Sequence, residues 1–426
     1  MNNFFLKLLI VIIVCSLHNR VIAEEMLTWH DCIKEAAKNN PDLIAAEEQV
    51  RQSQAAKTIT ASTLYPQLNT NVNAARAESA PSSTSANSRT TNTFAYGLTA
   101  SQLLFDGLKT INSVRAATET IKAFQENFRF TSAAVRFKLR SAFINLLTAQ
   151  EMLRIAQEIY DIRKKDLKLI TLQYLSGLEH KGALLTAEAD AASANYNIVQ
   201  AERELKVAQR ELIKEMGWLE FKPIRVDGNF EVKDSAKQKP NFENIAKNNP
   251  SLKEAIAQVD SAGFSLKSTY GSFFPTISGN AGINKTGAHW PAPNRQWNAG
   301  VALSLPLFEG GLRMAQVAQA KAFLRQLKEN QRSTEDSIIV ALEQAWAELQ
   351  DALDLVEVER KYLIANEERS KIAQAQYSTG FISFDNWIII EDNLVRSKKA
   401  FLDIQASALL AEANWIQAKG ETLEYE

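Results

Sequence analysis

The feature that most restricts this chain is an apolar seam that occurs twice. Val135, Leu139, Ala142, Leu146, Ala149, Leu153, Ala156 and Tyr160 follow alternating steps of four and three. Adding 203 to the first six gives Ile338, Leu342, Ala345, Leu349, Ala352 and Val356, apolar throughout. Such steps form the stripe of a helix that packs against other helices in coiled-coil fashion. A seam repeated at a fixed offset means that one unit was duplicated, so the chain reads as two halves. The match fades at its end, where Ala156 falls opposite Glu359.

Each half opens with a helical pattern. The first starts near Thr28-Trp29, passes Asn39-Asn40-Pro41 and continues to about Leu64; the second runs from Ala246 to Phe273 with Asn248-Asn249-Pro250, an offset of 209. Tyr65-Pro66 returns as Phe274-Pro275, and after each proline the period drops to two. Leu68, Thr70, Val72 and Ala74 alternate with asparagines and glutamine, and Ile277, Gly279, Ala281 and Ile283 alternate with Thr276, Ser278, Asn280 and Gly282. These read as strands at about 66–76 and 275–284, each with one apolar face. Polar loops follow, Arg76 to Thr93 and Lys285 to Gln296, and their six-residue difference turns the offset of 209 into 203. Second strands are expected at about 94–105 and 297–308, each opening on an aromatic, Phe94 or Trp297.

Strands of ~9–11 residues with apolar residues on one side suit an outer-membrane barrel. A soluble sandwich with one wet face suits the strands alone equally well. What favours the membrane is the aromatic at each loop-side start and residues 1–23, which read as a secretory signal. There Lys7 leads Leu8–Val14, and Val21-Ile22-Ala23 forms the cleavage site. Acylation of Cys15 is the weaker reading, because Val14 is bulky where a small residue is expected. No later stretch has the ~20 apolar residues of a membrane-spanning helix. Four strands cannot close a barrel and lipid forbids an open edge, so if these strands span a bilayer several chains must share one barrel.

Leu104-Phe105-Asp106-Gly107 and Leu307-Phe308-Glu309-Gly310 end the strands 203 apart. Long helices are expected from about Lys109 or Gly311 to Tyr174 or Tyr377, without proline. Sixty-odd residues make a rod of roughly 95 Å. Both rods stop at a Tyr-x-x-Gly turn, Tyr174 to Gly177 and Tyr377 to Gly380. The returning helices carry a second duplicated seam, Leu184 to Leu212 and Trp387 to Trp415, rich in alanine. Residues 218–240 lose the helical period, with a short hairpin expected over Ile224–Val232, and Lys419–Glu426 reads as a polar, poorly ordered tail. The domains are therefore a signal at 1–23, repeats at 24–217 and 241–418, a linker at 218–240 and a tail at 419–426.

Together these features resemble the TolC-like outer-membrane factor family. The resemblance covers essentially the whole mature chain and rests on motifs duplicated at fixed offsets. It implies a mainly helical fold with a transmembrane β part: a homotrimer whose strands form a twelve-stranded barrel continuous with a periplasmic coiled-coil tunnel. It also implies a duct in the outer membrane of a Gram-negative bacterium, reaching into the periplasm. Substrates would enter from an inner-membrane transporter of the RND or ABC type through a periplasmic adaptor, in efflux or type I secretion.

The expected inner mouth lies at the turns, with Tyr174, Gly177, Tyr377, Gly380, Ser383, Asp385 and Asn386 as its candidates. The family's arginine and two aspartates fall here on Ile382, Asn386 and Ile389, so an arginine latch and that acidic ring are not expected. Asp385 reads first as a cap near a helix start and second as a shifted ring of carboxylates. Tyr174 and Tyr377 read as packing residues that set the turns. Glu179, His180 and Lys181 are solvated turn residues or adaptor contacts. Glu367-Glu368 and Glu391-Asp392 read as solvated faces or caps.

Other classes have less support. No nucleophile elbow, phosphate loop or metal quartet suggests an enzyme or a cofactor, and the four histidines lack metal-ligand spacing. With 48 basic and 49 acidic residues there is no basic field for nucleic acid. Cys32 is the one cysteine after the signal, which excludes an intrachain disulfide. An envelope spacer built of coiled coil has no use for the strands, and a porin has none for the rods.

Overall fold

The computed structural model describes residues 25–79, 89–232 and 239–423. The stretch expected to be a secretory signal, with Cys15, and the last three residues of the tail lie outside the described residues. The chain divides into two compact units. One takes residues 1–44, 131–242 and 340–426, the other 45–130 and 243–339.

The second unit holds the sheet. Strands β2 (Gln67–Ser79), β3 (Arg89–Phe105), β5 (Thr276–Gly287) and β6 (Asn294–Ser304) pair in the order β2-β3-β5-β6, all antiparallel. Residues that alternate in sequence line up in rows. Leu68, Ala100, Ala281 and Ala299 form one, and Thr70, Leu98, Ile283 and Trp297 the next. The ladders run past the expected ends into the polar loops, because backbone pairing continues where apolar alternation stops: Thr90–Thr93 pair with Ala75–Glu78. At the other end, Leu307 and Phe308 lie beyond β6.

Beside the sheet, helix α2 (Pro41–Ser62) and helix α6 (Pro250–Gly271) lead into β2 and β5. Helix α3 (Lys109–Leu175) and helix α7 (Leu312–Ser378) leave β3 and β6 through the acid-glycine corners. Asp106 Oδ2 accepts from the Thr110 N–H at 2.8 Å, filling an orphan donor at the start of α3. Small hydroxyls join α3 to α6: Ser268 Oγ donates to Lys109 O at 3.0 Å and Ser261 Oγ to Ala116 O at 3.0 Å.

The first unit is mainly helical. Helix α1 (Trp29–Asn39) begins with a reciprocal capping box between Thr28 and Asp31. The expected opening helix is broken at Asn40, whose Oδ1 accepts from the Asp42 N–H at 2.9 Å with Pro41 at the first helical position. The second copy breaks alike: short helix α5 (Phe242–Ala246) precedes Asn249, which caps α6 from the Ser251 N–H at 2.9 Å. Both Asn-Asn-Pro motifs are therefore caps that end one helix and start another.

The later parts of α3 and α7 pack with the returning helices α4 (Lys181–Met216) and α8 (Phe384–Lys419). Leu139, Leu146, Leu342 and Leu349 of the duplicated seam are fully buried. In α4 the buried alanines 187, 194, 201 and 208 recur every seven residues. Full burial of a leucine contributes roughly 1.5–3 kcal/mol, and small alanines let helix axes approach.

Two expectations are corrected here. Ile224–Val232 is not a hairpin: strand β4 (Ile224–Val226) pairs in parallel with β1 (Glu25–Leu27). The other edge of β4 is closed by side-chain amides. Gln150 both accepts from the Val226 N–H and donates to its carbonyl, at 2.9 and 3.0 Å, and Gln209 donates to Ile224 O at 2.8 Å. The chain after α8 is also packed. Thr422 and Leu423 are buried, the Leu423 N–H donates to Ser132 Oγ, and Glu421 pairs with Arg136 at 3.2 Å.

Candidate functional site: the paired helix turns

In the helical unit α3 and α4 are joined at 176–180, and α7 and α8 at 379–383. Gly177 and Gly380 adopt φ of 73° and 78°, a left-handed conformation that glycine takes without a Cβ penalty. The following N–H groups close each helix end: Leu178 donates to Gln173 O at 2.9 Å and Phe381 to Gln376 O at 2.8 Å. Leu178 and Phe381 are 77% and 82% exposed, so the tip of each turn presents a bare apolar side chain.

Both returning helices are capped at equivalent positions, 203 residues apart. His180 Nδ1 accepts from the Ala183 N–H at 3.1 Å, and Ser383 Oγ accepts from the Asn386 N–H at 3.4 Å. Ser383, not Asp385, is therefore the cap. Asp385 stands exposed in the first turn, where its charge complements the helix dipole. Asn386 and Lys181 are also exposed.

The two tyrosines diverge. Tyr174 is 36% exposed, whereas Tyr377 is 3% exposed in a cluster with Ile170, Ala183, Ala187, Ala373, Phe384 and Trp387. Its ring stacks on Trp387 at 4.4 Å between centroids, with 8° between planes. Its phenol oxygen lies 2.7 Å from Gln173 Oε1 and 3.0 Å from Glu179 Oε1. A phenol has one proton, so the two acceptors compete for it, and the carboxylate is the stronger. Burial, and then the Glu179 hydrogen bond, raise the phenol well above its ordinary range and keep it protonated. Tyr377 thus clamps the second-half turn to the first. Ile382, on the family's arginine position, packs half-buried against the same cluster.

A layer of charge lies on the same four helices. Arg163 and Asp166 of α3 and Glu391 of α8 are buried. Arg163 pairs with Asp392 and stands 4.0 Å from Asp166, whose Oδ2 has no hydrogen-bond partner. Ser370 Oγ donates to Glu391 Oε1 at 2.6 Å. The solvated-face reading of Glu391 is therefore corrected, since its carboxylate is enclosed and served by a hydroxyl. Burial, then the Glu391 charge, push Asp166 up to about 7 against the opposing pull of Arg163. Burial also raises Asp190 of α4. Sequence reasoning missed this layer, and it missed Gln173 as a partner of Tyr377.

Comparison with known proteins agrees with this architecture. The profile of the family described as outer membrane efflux protein matches residues 32–217 and 242–422. The cation efflux system protein CusC of Escherichia coli (strain K12) is 25% identical over 395 residues, 91% of this chain and 85% of that protein. The outer membrane efflux protein BepC of Brucella suis biovar 1 is 23% identical over 341 residues, 79% of this chain and 73% of that protein. Among solved structures, CusC superposes with a TM-score of 0.82 at 23% identity, covering 91% of each chain. The Campylobacter jejuni CmeC outer membrane channel superposes at 0.82 and 18% identity, covering 93% of this chain and 86% of that one. With both halves matched, the chain belongs to the outer membrane efflux protein family: it is an outer-membrane exit duct for efflux.

Proposed function

We propose that three copies of this chain form one duct, with twelve strands in the outer membrane and the helices as a periplasmic tunnel. One observation carries the reading: the sheet ends at β2 and β6, and among the described residues neither outer edge is paired. In lipid an open edge costs several kcal/mol for each unsatisfied backbone group, so neighbouring copies must supply the pairing. The paired turns are the regulated constriction, held by Tyr377 against Gln173 and Glu179, with Asp385 and Asn386 exposed beside it. The bare tips Leu178 and Phe381, with Glu179, His180 and Lys181, are the surface for a periplasmic adaptor that couples the duct to an RND or ABC-type inner-membrane transporter. That transporter selects the cargo, since the duct passes what is loaded into it.

The test is the detergent-solubilised mass with single-channel conductance in planar bilayers. A trimer conducting in small steps is expected, with Tyr377→Phe opening more often and a disulfide between cysteines placed at Ser383, Asp385 or Asn386 holding it shut. A soluble chain with no bilayer activity would refute the duct. Unchanged conductance in all the turn variants would refute the gate.

A further inference from the structure

The loop-side half of the sheet carries a charge arrangement for which a conduit has no use. Its apolar rows give way to the row Val72, Tyr96, Lys285 and Arg295, which sets two cations on adjacent strands. Directly opposed residues of an antiparallel pair hold their Cβ atoms about 4.5–5.5 Å apart, and like charges so placed repel. Among the described residues no carboxylate pairs with either. Over residues 67–105 and 276–304 the one acid is Glu78, against Arg76, Arg89, Lys285 and Arg295. Glu78 stands six residues beyond Val72, roughly 20 Å along the strand, and two strands away from Lys285. That separation exceeds the ~10 Å over which charges act at ordinary salt.

A cleft of about 450 Å³ opens against these cations, walled by Tyr96, Leu98, Ile283 and Trp290. The Trp290 ring lies 5.0 Å from Tyr96 and 6.3 Å from Phe94 between centroids. The level follows from the register. Lys285 is eight residues above Ile277 on β5, about 27 Å along the strand and about 20 Å in height at the usual barrel tilt. An outer-membrane apolar band is ~25 Å tall, so the cations stand at its upper rim. The helices leave from the opposite ends of the strands, which makes this the outer rim.

We propose that this cleft binds the phosphorylated headgroup of an outer-leaflet glycolipid. The phosphate sits between Lys285 and Arg295, the sugar lies against Trp290 and Tyr96, and the acyl chains descend along Leu98 and Ile283. The anion converts a repelling pair into two charge-assisted contacts. The inference rests on the outer-membrane reading of the sheet.

The experiment uses the full-length trimer, stripped of lipid in detergent and titrated with bisphosphorylated lipid A, the same lipid without phosphates, or inorganic phosphate. Native mass spectrometry reads the bound species. The phosphorylated lipid should bind at least about tenfold more tightly than its dephosphorylated form. Lys285→Gln with Arg295→Gln should remove that difference while mass and conductance stay unchanged. Equal binding by wild type and double variant would overturn the proposal, leaving side chains that merely reach for water. Inorganic phosphate that displaces the lipid at comparable concentration would also overturn it, in favour of a free-anion site. Failure of the barrel reading is separately visible, as a wild-type chain that neither trimerises nor conducts.

Discussion

At the scale of single residues, Asp166 makes the clearest claim. Its carboxyl is buried, its Oδ2 lacks a hydrogen bond, and burial with the nearby Glu391 raises it to about 7. A carboxyl whose folded pKa exceeds its ordinary value near 4 binds its proton more tightly in the folded state. Its contribution to stability is therefore greatest in acid, falls as pH rises from about 4 to about 7, and is level above that. Asp166→Asn keeps the shape without the charge, so the variant should come closest to wild type below about pH 4 and exceed it at pH 8. The excess is bounded by about 4 kcal/mol, from three steps of 1.36 kcal/mol each. Thermal unfolding of both proteins across that range is the check, and parallel curves would show that folding leaves the proton affinity of Asp166 unchanged. Nothing in the sequence marks this site. Glu391 lies beside the seam residues Ile390 and Leu394, where a helix with one partner would face water. It is buried because α8 meets more than one neighbour at that level, and a single-stripe reading has no place for a second interface.

At the scale of elements, the two kinds of glycine corner should behave differently. A Cβ on Gly380 would meet nothing within 4 Å, so Gly380→Ala suffers the left-handed backbone alone, about 1–2 kcal/mol. A Cβ on Gly107, at φ 67°, would lie 2.4 Å from Gly271 O and 2.6 Å from Phe274 Cβ. Gly107→Ala therefore adds a backbone clash to the same strain and should forfeit assembly, whereas Gly380→Ala should assemble with faster amide exchange at the α7–α8 turn. Equal assembly of the two variants would mean that the strand-to-helix corner yields easily. The rods, strands and turns were legible beforehand because each has a strict period and returns at a fixed offset. Strand β1 was not, since three residues hold no period. The Gln150 and Gln209 amides that close β4 were not either, because their partners are 76 and 15 residues distant and carry no local signature.

At the scale of the whole molecule, the described residues leave two sheet edges and one apolar sheet face unsatisfied, conditions that no internal rearrangement of four strands can meet. Folding and association should therefore be one event. For three chains that unfold as they separate, each tenfold dilution shifts the equilibrium by twice RT ln 10, about 2.8 kcal/mol per trimer. The urea midpoint of the protein in detergent, approached from both the folded and the unfolded side, should fall steadily as protein is diluted at fixed detergent. Mass measured through the transition should pass from trimer to unfolded monomer with no folded monomer between. A midpoint independent of concentration, with a folded monomer present, would mean that β2 and β6 find their partners within one chain. The shared barrel would then be wrong, even though the duplicated rods and the clamped turns would stand as described.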